Sequence, residues 1–358
     1  MNFLLSDEQQ SLQDSLARLT EEECDLRAVH KVIDANDPLH AGLWAKMVEF
    51  GAAGTVIADQ HGGLGLEMID LALIAEVLGR KAAPTPFFGH ALAGIAISLA
   101  GSDAQKREWL PKLASGKTVG TVALGEGEGV WLPEQWKASG EKKLSGTKDS
   151  VPGLMGAELV VVGLAGGALA LVDAKGSGVT REPLRGVDRT RPIGTLKLSD
   201  AVAELLPQGK ATVSRLRDAA LVLLAADAYG GAMRCVEMAS EYAKMREQFG
   251  VKIAQFQALR HQLAMMALEA EPGRGLYWYA AHAWDHISDK AEAAAALAKS
   301  HLTERYLQVA RDNIKAHGGI GFTWEYDAHL FLKRAMFDFA WGGAPTVHRQ
   351  RYADLVGW

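Results

Sequence analysis

Ser6 stands three residues ahead of Gln9, and Leu12, Leu16 and Leu19 then recur among polar residues on one helical face. A serine followed at that distance by glutamine is a capping-box pattern, so the chain is predicted to open with a helix. Helical patterning continues over Leu43 to Phe50, Met68 to Arg80 and Ala104 to Leu113, broken by His61-Gly62-Gly63-Leu64-Gly65 and by Pro84 and Pro86. Residues 1–118 read as all-helical.

The texture then changes. Thr118 to Leu124, Leu159 to Leu164, Ala168 to Val172 and Leu196 to Leu198 are short apolar or alternating runs between Gly, Asp and Pro clusters, which is the pattern of strands. They predict a middle β domain over 119–207. From Ser214 the helical period returns, with segments near 214–248, 253–286, 288–315 and 328–340. That is enough for an antiparallel four-helix bundle within 208–358. The order helix, strand, helix makes the fold class α+β. No tandem repeat or low-complexity tract interrupts it.

Composition narrows the function. A chain of 358 residues with 48% apolar side chains exceeds the size at which single cores stop growing, which favours two or three domains. Charged residues make up 23% and the net charge is −5, so there is neither a basic nucleic-acid footprint nor a polybasic membrane anchor. Cys24 and Cys235 are the only cysteines, with no metal-ligand spacing, which argues against a disulfide framework or a zinc site and fits a reducing, cytoplasmic compartment. The N-terminal pattern lacks the basic start and apolar block of a signal peptide, and no run reaches the ~18 consecutive apolar residues of a membrane span.

Two motifs carry chemistry. In Met245-Arg246-Glu247-Gln248-Phe249-Gly250, followed by Phe256-Gln257-Ala258-Leu259-Arg260-His261, one reading is structural: Gly250 caps a helix, Arg246 complements its dipole and Phe249 enters the core. The other is functional, with Arg246 a planar charged fork suited to a pyrophosphate and Phe249 a face for an aromatic ring. In His317-Gly318-Gly319-Ile320-Gly321-Phe322 the glycines let backbone N–H groups approach a phosphate-bearing ligand closely. Both motifs fall at helix junctions of one bundle, where cofactor sites are built.

These motifs, with Leu5-Ser6-Asp7-Glu8-Gln9, Gln60-His61-Gly62-Gly63-Leu64-Gly65 and Gln105 to Gly116, resemble the acyl-CoA dehydrogenase family nearly end to end. At Gln60 the family more often has an acidic residue. The resemblance implies a helical N-terminal domain, a β-barrel-like middle domain and a C-terminal four-helix bundle, with FAD between the last two and an acyl-CoA thioester as substrate. It further implies a dimer of dimers formed through the bundle and an electron-transfer flavoprotein or similar acceptor. By the same resemblance Arg246, Gln248, Phe249, Gly318, Gly319 and Gly321 would contact the FAD of a neighbouring subunit, Gln257 is a further cofactor-binding residue, and Lys315 replaces a Gln that precedes the glycine motif.

Departures from the family pattern fall elsewhere. The reaction needs a base in a water-poor pocket to take the α-proton. The position of the usual Glu falls on Gly342, which cannot do so. An alternative base position falls on Ala220, with Asp218 the nearest carboxylate, itself readable as a helix-start residue, and Asp227 about two turns further on. The flavin-lining Thr-Glu-Pro is matched only by Leu124-Gly125-Glu126, before a shortened Gly127-Glu128-Gly129. The aromatic lid of the flavin becomes Ser150, followed by Val151 and Pro152. Three functions remain open: a self-sufficient homotetrameric enzyme using Asp218 or another carboxylate, a base-free subunit of a heterotetrameric dehydrogenase such as those acting on steroid side chains, or a flavin-free scaffold.

Overall fold

Ser6 Oγ accepts the Gln9 amide at 3.2 Å while Gln9 Oε1 accepts the Ser6 amide at 3.1 Å, closing the predicted box. Helix α1 (Asp7–Glu23) starts there. The computed structural model describes residues 4–127 and 129–358, so Glu128 lies outside the described residues. Five more helices complete the first unit: α2 (Leu26–Ala35), α3 (Ala41–Glu49), α4 (Met68–Arg80), α5 (Phe87–Ala100) and α6 (Asp103–Ala114). A second reciprocal box, Ser102 with Gln105, opens α6.

The middle unit is one seven-stranded sheet in the order β1-β4-β5-β7-β3-β2, with β6 also paired to β7. Its strands are β1 (Gly120–Ala123), β2 (Ser139–Gly140), β3 (Lys143–Pro152), β4 (Leu159–Gly163), β5 (Leu169–Asp173), β6 (Val179–Leu184) and β7 (Ile193–Leu206). The β1–β4 pair is parallel and the others antiparallel. Beyond the end of β1, Gly125 bridges Asp149 of β3, which curls the sheet toward barrel closure. The seam of that closure becomes one wall of the cleft described below.

Helix α7 (Gly209–Met245) then crosses the whole molecule. It begins before Ser214 and stops ahead of 248, because residues 247–252 form a two-strand hairpin, β8 (Glu247–Gln248) and β9 (Val251–Lys252). The segment predicted as one helix over 253–286 is two, α8 (Gln257–Ala270) and α9 (Arg274–His286). Pro272 and Gly273 separate them, since proline removes an amide donor and clashes with the preceding turn. Helices α10 (Ser288–His317), α11 (Ala328–Ala340) and α12 (Pro345–Val356) finish the chain.

Helix α7 has a window of mean hydropathy 1.4 that is long and apolar enough to cross a membrane, but 83% of that window is buried inside the fold. Its apolar surface is therefore core surface. Packing against α4 is close: a Cβ on Gly79 would fall 2.2 Å from the Asp227 carbonyl oxygen, and one on Gly230 would fall 2.0 Å from that of Glu76. The N-terminal helices are thereby set against α7 at a distance that any larger residue would increase.

Candidate functional site

A cleft of about 380 Å³ opens where the sheet seam meets α11, at the low end of the range for ligand pockets. Ser150, Trp131, Arg191, Phe337 and Trp341 line it. Leu124 and Gly125 lead into its wall after β1, and Ser150 holds a positive φ of 55°. Of the positions carried over for the flavin ring, the fold thus brings Gly125 and Ser150 together. It also fills the space between them. The Trp131 ring lies so close to Gly125 that a Cβ there would come within 2.9 Å of it. Trp341 donates its indole N–H to the Ser150 carbonyl at 2.9 Å, and its ring sits 4.8 Å from Trp131 and 4.9 Å, edge-on, from Phe88. An aromatic stack forms one wall of the cleft.

Glu126 anchors that wall. It accepts the Lys137 and Ala138 amides at 2.7 and 3.0 Å and pairs with Lys148 at 2.6 Å. Burial opposes ionisation of Glu126, but the Lys148 bond and the two amides outweigh it and hold the carboxyl below its ordinary value. Burial lowers the Lys148 ammonium to about 8, against the pull of Glu126.

The floor of the cleft is ionic. The Arg191 guanidinium lies between the rings of Phe88 and Phe337, 5.1 and 4.9 Å from their centroids, and reaches Asp227 at 2.6 Å and Asp338 at 3.0 Å. Arg334, wholly buried, donates to Asp188 at 2.7 Å, to Asp227 at 3.1 Å and to the Ala83 carbonyl at 3.2 Å. Helices α7 and α11, the loop before β7 and the turn before α5 meet in this junction.

Gly342 follows Trp341 at a φ of 75°, and a Cβ there would touch only Leu221 and Leu224 of α7, at 3.6 and 4.0 Å. Asp218 is not at a helix start. It lies inside α7, buried, with Oδ1 2.8 Å from Arg351 and 3.4 Å from Arg217. Its lone pairs face charged donors, and it is not among the residues lining the cleft.

The bundle edge is the opposite in character. Phe249 and Gly250 form a two-residue hairpin turn with φ of 55° and 79°, both left-handed as tight hairpins require. Gly250 is therefore a turn residue and no helix cap, and Phe249, 92% exposed, is outside the core. Helix α7 instead ends at Arg246, whose amide bonds to the Tyr242 carbonyl. The Arg246 side chain is exposed and makes no hydrogen bond or ion pair within the described residues. One turn back, the Tyr242 ring stacks on His317 at 4.4 Å, which brings the start of the glycine turn to the same edge. Gly318 takes φ 64° and ψ −141°, open to glycine, and nothing lies within 4 Å of where a Cβ on Gly318 or Gly319 would be. Gly321 instead packs tightly, 2.7 Å from the Ile314 carbonyl by the same construction. Gln248 and Gln257 are exposed, Gln257 being bonded to His261 at 3.0 Å, and Lys315 is paired with Asp312 at 2.8 Å. This edge can take an anionic ligand through Arg246 and the open glycine backbone.

Residues 6–117 match the acyl-CoA dehydrogenase N-terminal domain and residues 212–356 its C-terminal domain. Over 335 residues, 92% of this chain and 93% of the relative, the sequence is 30% identical to the acyl-CoA dehydrogenase IpdE2 of Mycolicibacterium smegmatis. The chain belongs to the acyl-CoA dehydrogenase family. Acyl-CoA dehydrogenases are flavin-dependent oxidoreductases with FAD as cofactor. Among solved structures, a glutaryl-coenzyme A dehydrogenase in complex with glutaryl-CoA superposes with a TM-score of 0.92 over 100% of this chain and 97% of its own, at 23% identity, which speaks for the fold. The Tcur3481–Tcur3483 steroid dehydrogenase superposes at 0.87 with 30% identity, covering 98% of each chain. The ChsE4–ChsE5 complex of Mycobacterium tuberculosis gives 0.89 at 23% identity, over 100% of this chain and 99% of its own.

The sequence reading missed Trp131, Asp188, Arg191 and Asp338. Trp131 lay in a shortened loop with no periodicity. The other three belong to segments far apart in the chain, and only the folded junction makes them neighbours.

Proposed function

We propose that this chain is the base-free subunit of a two-component FAD-dependent acyl-CoA dehydrogenase acting on a bulky, steroid-derived thioester. The observation that carries this reading is the contrast between a cleft walled by Trp131 and Trp341 and an exposed bundle edge. Trp131 and Trp341 cover Gly125 and Ser150, the positions that would line the ring within this chain. The side chains of Arg246 and Phe249 and the open faces of Gly318 and Gly319 are exposed, Phe249 meeting only Phe256 edge-on, as residues that serve a neighbouring subunit would. Trp131 and Trp341 narrow the cleft beside Gly125 and Ser150, whereas the exposed bundle edge suits the diphosphate part of a flavin held by another chain.

In that arrangement Arg246 would bind a phosphate oxygen pair through its guanidinium fork, and the glycine turn, with no side chain at Gly318 or Gly319, would let the ligand approach the backbone closely. Phe249 covers an aromatic face of the ligand and excludes water from it. Bound FAD supplies the acceptor for the hydride leaving the acyl β-carbon. The α-proton goes to a carboxylate of the partner, because Gly342 offers none and Asp218 is already engaged by Arg351 and Arg217. An electron-transfer flavoprotein or similar acceptor would reoxidise the assembly. Support for a second protein comes from two relatives whose solved structures are described by pairs of proteins, Tcur3481–Tcur3483 and ChsE4–ChsE5. The steroid class rests on the former, described as a steroid dehydrogenase.

Co-expression with a base-bearing relative tests the reading. Native mass and flavin absorbance should give a mixed tetramer with about half as many flavins as chains. A homotetramer carrying one FAD per chain, with turnover of its own, would overturn it in favour of a self-sufficient enzyme.

A further inference from the structure

Helix α9 ends in a patch of metal-ligand side chains. His282, Asp285 and His286 are spaced at i, i+3 and i+4, so they share one face of its C-terminal end. The two imidazole rings lie 4.6 Å apart at an interplanar angle of 37°. Opposite them stands Glu67, the N-cap of α4, with Oε2 3.0 Å from His286 Nε2. One oxygen of Glu67, one oxygen of Asp285 and one nitrogen of His286 lie within 4.8 Å of one another. All four residues are exposed, and none lines the cleft.

Backbone bonds hold the two carboxylate-bearing segments. Asp285 Oδ2 accepts the Met68 amide at 2.7 Å, and the Glu67 amide donates to Asp70 Oδ2 at 2.9 Å. The start of α4 is thereby fixed against the end of α9. An exposed Glu67–His286 ion pair alone would be an ordinary surface feature. It does not account for the other two groups. Among the described residues, Asp285 Oδ1 has no hydrogen-bond partner, and His282 makes neither a hydrogen bond nor an ion pair. Two carboxylates and two imidazoles therefore share one patch, drawn from two helices, with lone pairs still unused.

We propose that Glu67, His282, Asp285 and His286 form a binding site for one divalent transition-metal ion such as zinc, which ties the N-terminal helices to the bundle. Imidazole nitrogens favour zinc, nickel or copper over magnesium and calcium, which take oxygen ligands. The two carboxylates balance the charge of the ion, and four ligands close a tetrahedral shell. With zinc bonds of about 2.0–2.1 Å, neighbouring ligand atoms in such a shell stand roughly 3.3 Å apart, so the patch must contract on the ion. Exposed side chains can do so by changing rotamer. The cysteine spacing speaks only against a thiolate site and does not bear on this set. An ion shared by Glu67 and His286 closes 219 residues of chain, so its binding should appear as resistance to unfolding.

Isothermal titration of the tag-free, metal-stripped full chain with zinc chloride near pH 7 tests the site without a partner chain. Wild type should bind one ion, and magnesium at the same concentration should not compete. His286→Ala and Glu67→Gln, both changes at exposed positions, should each weaken zinc binding at least about tenfold. Zinc at about a hundred times its Kd should raise the melting midpoint of wild type by about 3 °C and leave that of His286→Ala unmoved. Absence of zinc binding by wild type, or equal affinity in His286→Ala, would overturn the site. Equal affinity in Glu67→Gln would reduce it to a histidine pair on one helix and overturn the link between α4 and α9. Competition by magnesium would overturn the assigned class of metal.

Discussion

The cleft beside α11 and the edge formed by the Phe249 hairpin and the glycine turn are built on opposite principles. In the cleft the walls are held by the chain itself, with Trp131 over Gly125, Trp341 bonded to Ser150, and Arg191 locked between two rings and two carboxyls, around a remaining space of about 380 Å³. At the bundle edge, an aromatic ring that meets only Phe256, an unpaired guanidinium and two glycines with open faces stand exposed among the described residues. On the proposed function, the cleft wall serves this chain's own packing and the exposed edge serves a neighbouring chain.

The largest effect that bears on the comparison is at Arg246. In a co-assembled complex, Arg246→Ala should lower FAD affinity about ten- to a hundredfold, the loss of roughly 1.5–3 kcal/mol of charge-assisted bonding, and Lys should restore only part of it. Melting of the chain alone should not move. Unchanged flavin occupancy in the variant complex would mean that the bare edge serves something other than the cofactor.

Gly342→Glu probes the other region. Its φ of 75° is unfavourable for any L side chain, so the change should cost about 1–2 kcal/mol of stability, and the new carboxylate would be set against Leu221 and Leu224. Because Trp131 and Trp341 still narrow the cleft beside Gly125 and Ser150, no dehydrogenation of an acyl-CoA should appear with an artificial electron acceptor. A large gain in activity would show the cleft to be an intact site that lacks only its base.

The smallest effect separates folding from assembly. Phe249→Ala should leave the melting of the isolated chain within about 0.5 kcal/mol of wild type, since its ring is 92% exposed. The same change should weaken the mixed complex, measured by dilution and native mass. A destabilised isolated chain would place the ring in intramolecular packing after all.

Regular amphipathic segments were legible in the sequence: Met68 to Arg80 is a helix from end to end, and so is 328–340. Helix α5 escaped because twelve of its fourteen residues are buried, which leaves no polar face to mark a period, and Pro86 sits at its N-cap instead of breaking it. Helix α12 was hidden by its polar composition, although Pro345 at its first turn suits a helix start. Strand β3 was lost to its own irregularity, with register shifts between Leu144 and Gly146 and between Lys148 and Val151. For the candidate site the divide is one of sequence distance. Arg246, Phe249 and the glycines sit in compact local motifs, whereas the junction joins Asp188, Asp227 and Arg334 across separations that no pattern along the chain records.

The hairpin turn at Phe249 and Gly250 bears on how long partners stay together. A two-residue turn with both torsions fixed loses little conformational freedom when another surface closes over it, so little of the contact energy is offset by ordering. Pre-organisation of this kind lengthens residence time more than it speeds encounter. Chains joined through such an edge would exchange slowly once paired, and the composition of each complex would be settled when its chains are made.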